Sequence, residues 1–269
     1  MTKLITAETL KKWGACPAGF KRFCELFPEG ADLQTASAGL IADGHHAWSN
    51  WLWGSCSRDD DYREQTILVG GYGSTLTGGD YSRLTGGDRS TLTGGYHSTL
   101  TGGYHSTLTG GSCSTLTGGY GSTLTGGDRS TLTGGDYSRL TGGEYSRLTG
   151  GYGSTLTGGY HSTLTGGDRS TLTGGGYSRL TGGYGSTLTG GSCSTLTGGY
   201  GSTLTGGDDS TLTGGDDSTL TGGDDSTLFF RYWHEGRHIG VAANVGINGI
   251  KPNTPYRCDN KGNIVEVVK

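Results

Sequence analysis

Residues 72–95 read YGSTLTGGDYSRLTGGDRSTLTGG, three octads in which six positions scarcely change and two change freely. The frame continues to residue 231 as twenty octads and is preceded by a blurred copy, EQTILVGG, at 64–71. Ser holds position three, Thr or Arg position four, Leu position five, and Thr then Gly-Gly fill six to eight in all but the last unit. A short fixed period marks a stack of units that bury their apolar face only against each other. The 269 residues include 57 glycines but only 5 phenylalanines and 4 prolines, which is not the composition of an ordinary globular chain. Glycine-rich low complexity also occurs in disordered linkers, but those have no use for a leucine in every octad.

Strand alternation sends Ser and Leu to one side and the two flanking positions to the other. Arg replaces Thr only at position four, whereas Leu never varies, so Ser and Leu are expected inside and T-x-T outside. The Gly-Gly pair, with the variable pair after it, must turn the chain, glycine being able to reach positive φ and to permit close backbone approach. YG units start at 72, 120, 152, 184 and 200, all separated by multiples of sixteen, and the SC units at 112 and 192 obey the same rule. The DR units at 88, 128 and 168 break it. The sequence thus predicts an all-β fold, a β-solenoid of about ten 16-residue coils, with strands ~4.8 Å apart. Its two sides differ. In steps of sixteen from 72, only the unit at 136 departs from S-T-L-T; from 80, Arg83, Arg147, Arg179 and a final STLF interrupt the pattern.

Three regions follow. Residues 1–63 read as a small helical, Trp-rich N-terminal domain, with Thr6 opening one helix, Pro17 a second carrying Phe20, Phe23 and Leu26, and DLQTASAGLIADG a third. Residues 64–231 are the octapeptide-repeat solenoid. Residues 232–269 read as a short β-rich C-terminal cap, with turn signals in GINGIKPNTP and DNKGN, needed because a last coil otherwise exposes a strand edge. Asp43, His45, His46 and Cys56 include metal-ligand types, but their spacing matches no zinc signature, and a tryptophan-rich packing or partner face is the better account. No metal or cofactor is expected. Cys113 and Cys193 share an octad position 80 residues apart and are too many coils distant for an intrachain disulfide. The six terminal aspartates, Asp208, Asp209, Asp216, Asp217, Asp224 and Asp225, repel one another unless a cation or partner sits there.

A net charge of −4 with interspersed Asp and Arg leaves no basic footprint for nucleic acid. The sequence predicts neither a cleavable signal peptide nor a transmembrane span. Catalysis is not expected, since His97, His105 and His161 fall only at a variable position and no nucleophile, base and orienting partner can be assembled. A calcium β-roll needs Asp where Ser74, Ser122 and Ser154 stand. The outward threonines have two readings: β-branched solubility in exposed strands, or a file of methyls and hydroxyls in fixed rotamers that orders water.

The repeats GYGSTLTGG at 71–79, 119–127, 151–159, 183–191 and 199–207, together with the tail FFRYWHEGRHIGVAANVGINGIKPNTPYRCDNKGNIVEVVK, resemble the bacterial ice nucleation proteins. That resemblance implies a β-solenoid that binds ice, or ordered water, through T-x-T files. The implied ice-facing residues are Thr75 and Thr77, Thr91 and Thr93, Thr107 and Thr109, Thr123 and Thr125, Thr155 and Thr157, Thr171 and Thr173, Thr187 and Thr189, Thr203 and Thr205. It also implies a homo-oligomer formed through the solenoid's side or ends, with Tyr72, Tyr120, Tyr152, Tyr184 and Tyr200 in self-association; alternatively these tyrosines cover the turn glycines. A bacterial cell-surface or outer-membrane location is implied too, while the lack of a signal peptide leaves the cytoplasm open. The competing function is a structural or adhesive spacer that presents the N-terminal domain to a partner.

Overall fold

A computed structural model describes residues 4–45, 47, 48, 51, 52, 55 and 67–268. The chain divides into two compact units, Met1–Gln65 and Thr66–Lys269.

In the first unit, helices α1 (Ala7–Lys12), α2 (Pro17–Leu26) and α3 (Leu33–Ala42) lie where the sequence places them. Thr6 caps α1 and exchanges hydrogen bonds with Thr9, satisfying amide donors that the first turn leaves free. Pro17 opens α2, where its missing N–H costs nothing. Ile5, Leu10, Phe23, Ala36, Leu40 and Leu52 form a small core, with Trp13, Trp48 and Trp51 packed on it.

In the second unit each octad contributes a three-residue strand at positions four to six, beginning with β1 (Ile67–Val69), β2 (Thr75–Thr77) and β3 (Arg83–Thr85) and reaching β20 (Thr219–Thr221). Strands alternate between two sheets. Odd-numbered strands pair with the next odd one, parallel and in register, as in Leu68↔Leu84; even-numbered strands do the same, as in Leu76↔Leu92. Partners are sixteen residues apart, so two octads make one coil and about ten coils stack into a parallel β-solenoid.

Every leucine from Leu84 to Leu228 at position five is fully buried, and the serines from Ser82 to Ser226 are nearly so. The core is therefore one column of leucines between the sheets, bounded by serines whose hydroxyls donate to glycine carbonyls, as Ser130 does to Gly127 at 2.6 Å. Ser74, Ser82, Ser90 and Ser98, in the first coils, bury the same hydroxyl with no partner among the described residues.

The glycine pair works differently from the sequence expectation. Neither glycine of the pair lies at positive φ; that conformation belongs to position two, which takes φ between 53° and 66° in every octad. Glycine stands there in Gly73, Gly121, Gly153, Gly185 and Gly201, while Tyr, Arg, His, Cys or Asp hold the left-handed conformation elsewhere. What the Gly-Gly pair supplies is space. A Cβ on Gly102 would lie 2.4 Å from Ser106 Oγ and 2.8 Å from Leu108 Cδ1, and one on Gly119 would lie 3.0 Å from the backbone of Gly103. The first glycine admits the core; the second admits the coil below.

The cap continues both sheets. β21 (Thr227–His234) pairs with its odd-numbered neighbour and then turns into an antiparallel hairpin with β22 (Arg237–Asn244). β23 (Tyr256–Cys258) crosses antiparallel onto β20 and pairs with β24 (Ile264–Glu266). Phe230, Val245 and Tyr256 lie buried over the last leucines, which closes the column at this end.

Candidate functional site: an outward threonine face

The even-numbered sheet carries the predicted threonines on its outer surface. Thr75↔Thr91, Thr77↔Thr93, Thr107↔Thr123, Thr155↔Thr171, Thr157↔Thr173, Thr187↔Thr203 and Thr189↔Thr205 are in-register partners on successive coils. With the leucine between them buried, each T-L-T strand presents both threonines outward; all sixteen predicted residues are exposed except Thr155, which is half-buried. Parallel pairing fixes the repeat along the file at ~4.8 Å and the strand rise sets ~7 Å between files.

The file of position-six residues also includes Thr141 and Thr221, so it runs unbroken from Thr77 to Thr221. The position-four file is broken once, where Arg139 stands between Thr123 and Thr155. Sequence reasoning omitted Thr219 and Thr221, which extend the face by one coil. The opposite sheet has the same backbone but less uniform chemistry, with Arg83, Arg147 and Arg179 in the position-four file and Ile67, Val69 and Phe229 at its ends.

The two edges of the solenoid, where positions one and two turn the chain, carry the aromatic residues. On the edge that begins at Tyr72, Tyr104 stacks on Tyr120 at 5.1 Å and Tyr184 on Tyr200 at 5.5 Å. Tyr137, a position-two residue, bridges Tyr120 and Tyr152 at 5.4 Å from each. Arg89 and Arg169 lie over the rings of Tyr72 and Tyr152. The tyrosine row is therefore built from both variable positions, with Tyr104 and Tyr137 joining the five that the sequence picked out. On the other edge His97 stacks on Tyr81, and His161 on Tyr145.

One of the terminal aspartates, Asp216, finds a counter-charge within the chain. Asp216 receives the Arg231 guanidinium at 2.9 Å and lies 3.0 Å from His238 Nδ1, both on the cap hairpin. Tyr200 donates its hydroxyl to Asp217, which pushes the Tyr200 pKa up. Asp216 thus ties the cap hairpin to the acidic coils.

Of the metal-ligand types, Asp43 is engaged by Arg22, and His45 lies 3.4 Å from it; His46 and Cys56 lie outside the described residues. No group of metal-binding residues occurs among the described residues. No described helix is long and apolar enough to cross a membrane.

Residues 1–56 are similar to the YdhT N-terminal domain, whose family model matches them; that match covers the helical unit and does not reach the repeat. No curated protein and no solved structure matches the chain.

Proposed function

We propose that this protein is a non-catalytic ice-binding and ice-nucleating protein whose even-numbered face orders water. The observation that supports this most is the double file of outward threonines held in register by parallel strands, broken only at Arg139. Threonine is β-branched and has few rotamers, so each residue offers a methyl and a hydroxyl at a repeating place. A bound water layer then inherits the spacing of the backbone, at little entropy cost to the protein, because the strands are already fixed. The opposite sheet, with its arginines, serves as the internal comparison.

Droplet freezing and ice-crystal shaping test this. Replacing Thr107, Thr123, Thr171 and Thr187 by lysine is expected to abolish the effect, and the same change at Thr99, Thr115, Thr131 and Thr163 to leave most of it. Unaltered freezing by the parent protein relative to buffer sinks the proposal.

The spacer reading draws support from a different observation, the family match on the helical unit. There the solenoid would set a distance and the first unit would recognise a partner. Capture of a ligand by residues 1–65 in the full chain, with no effect on ice, would favour it.

A further inference from the structure

We infer that a hollow between the last coils and the cap binds an organic cation of the ammonium or guanidinium class. On the edge that begins at Tyr72, position one reads Tyr184, Tyr200, Asp216 and, with the octad frame carried into the cap, Tyr232. Asp217 and Trp233 follow the last two at position two. The aromatic row thus skips one coil. At that place lies a hollow of about 170 Å³, walled by the rings of Tyr200, Tyr232 and Trp233 and by the carboxylates Asp216, Asp217 and Asp259.

The walls are positioned by contacts within the chain. Tyr200 is bonded to Asp217, and the Trp233 ring meets His238 edge-on at 4.7 Å. Tyr232 lies against the turn between β23 and β24, where a Cβ on Gly262 would come 2.8 Å from the Tyr232 hydroxyl oxygen. Asp259 accepts the backbone N–H groups of Lys261 and Asn263 at 2.9 and 2.8 Å and the Asn263 side-chain amide at 2.9 Å. A site built in advance spends little of its binding energy on ordering itself.

Charge and size decide the class of occupant. Asp216 is answered by Arg231 and His238. Asp217 is bonded by a neutral phenol, and Asp259 by neutral amide donors that hold its carboxyl below the usual range. Among the described residues neither has a cationic side chain within ion-pair distance. An anion is therefore repelled. The carboxylates do not converge as a metal-binding group, whereas ring faces attract a cation whose charge is spread over an apolar or planar head. A cavity of ~150 Å³ suffices to hold benzene, so this one admits a trimethylammonium or a guanidinium head.

The test uses the full chain and reads binding rather than freezing, so it stands apart from the water-ordering face. Isothermal titration is expected to show one saturable site for choline or for N-acetylarginine amide. The better of the two is expected to bind about tenfold tighter than dimethylbutanol, which has the shape of choline without its charge. Preference for choline assigns the site to a small quaternary amine, and preference for the arginine derivative to a side chain of another protein; both support the proposal. Trp233 and Asp217 are exposed, so both can be replaced without opening the core. Trp233→Leu and Asp217→Asn are each expected to weaken binding about tenfold, and Trp233→Phe to recover most of the loss. Asp225→Asn, on the other edge, is expected to leave binding unchanged. No saturable binding of either cation, equal affinity for dimethylbutanol, or undiminished binding by Trp233→Leu would each overturn the proposal; circular dichroism of each variant verifies the fold.

Discussion

Asp88 Oδ1 accepts the backbone N–H of Tyr104, one full coil further along, at 2.9 Å. Asp80, Asp128, Asp136, Asp168 and Asp208 make the same bond to the residue sixteen positions on. An aspartate at position one therefore adds a side-chain link between successive coils beside the backbone bonds that join them at the corner, such as that from Arg89 N–H to the Tyr104 carbonyl at 2.7 Å. Asp136→Ala is expected to lower stability by ~1 kcal/mol, as for one charge-assisted bond at an exposed site, and Asp136→Asn, which keeps an acceptor, by less. Chemical denaturation of both variants checks the order.

The second glycine of the pair leaves room for that bond. A Cβ on Gly143 would lie 2.1 Å from Asp128 Oδ1 and 2.8 Å from the Asp128 backbone nitrogen. Neither the coil nor the bond can give way without parting the stack. Gly143→Ala is expected to cost more than ~3 kcal/mol, at the top of the range for single substitutions, read as a fall in the thermal midpoint.

Position two offers the reverse experiment. Asp209 holds φ at 55° with a side chain, whereas Gly201, one octad earlier, reaches 64° with none. Left-handed backbone costs a residue with a Cβ about 1–2 kcal/mol, partly offset by the flexibility of glycine in the unfolded chain. Asp209→Gly is thus expected to be more stable than Asp209→Ala by roughly 1 kcal/mol, the alanine variant allowing for loss of charge among the aspartates. Equal midpoints would refute the account of the corner.

Arg139 is the one break in the favoured face. On the water-ordering reading, Arg139→Thr joins the files on either side and is expected to raise the freezing temperature of droplets. Arg147→Thr, on the other sheet, is expected to leave it unchanged.

In the helical unit, Arg22 donates to both oxygens of Asp43 at 2.5 and 2.6 Å and holds the carboxyl below its usual range. A carboxylate whose pKa is depressed on folding stabilises above its unfolded pKa, and that contribution fades as pH falls through the folded value. Tryptophan fluorescence is expected to show this unit loosening below about pH 4, the ordinary aspartate range. Asp43→Asn should flatten that response and destabilise at neutral pH.

Much of this architecture is written in the octad because its period is short and its alternation strict. Leu in and T-x-T out follow from where Ser82, Arg83, Leu84 and Thr85 sit relative to one another, and sixteen residues per coil and the arginine-bearing sheet from the spacing of the YG units and of Arg83, Arg147 and Arg179. The division of labour at the corner does not follow. Gly-Gly suggests positive φ, yet the fold uses it for clearance, because a Cβ on the first glycine would strike the core Ser and Leu of the following octad and one on the second would strike the neighbouring coil. The left-handed residue instead sits at the position that looks unconstrained. Likewise the aspartates read as a repulsive end until Arg231 and His238 fold back onto Asp216, a meeting that depends on the hairpin between β21 and β22.

The sixteen-residue register also governs how such a gene can lengthen or shrink. Exchange between near-identical octads adds or removes units of eight, but eight residues move the chain from one sheet to the other. Loss of a single octad near residue 144 would join the first half of the threonine face to the second half of the arginine-bearing one, although every strand would still find a partner. Only changes in pairs of octads conserve a face, so selection on the face, rather than on folding, is what would keep the repeat number even.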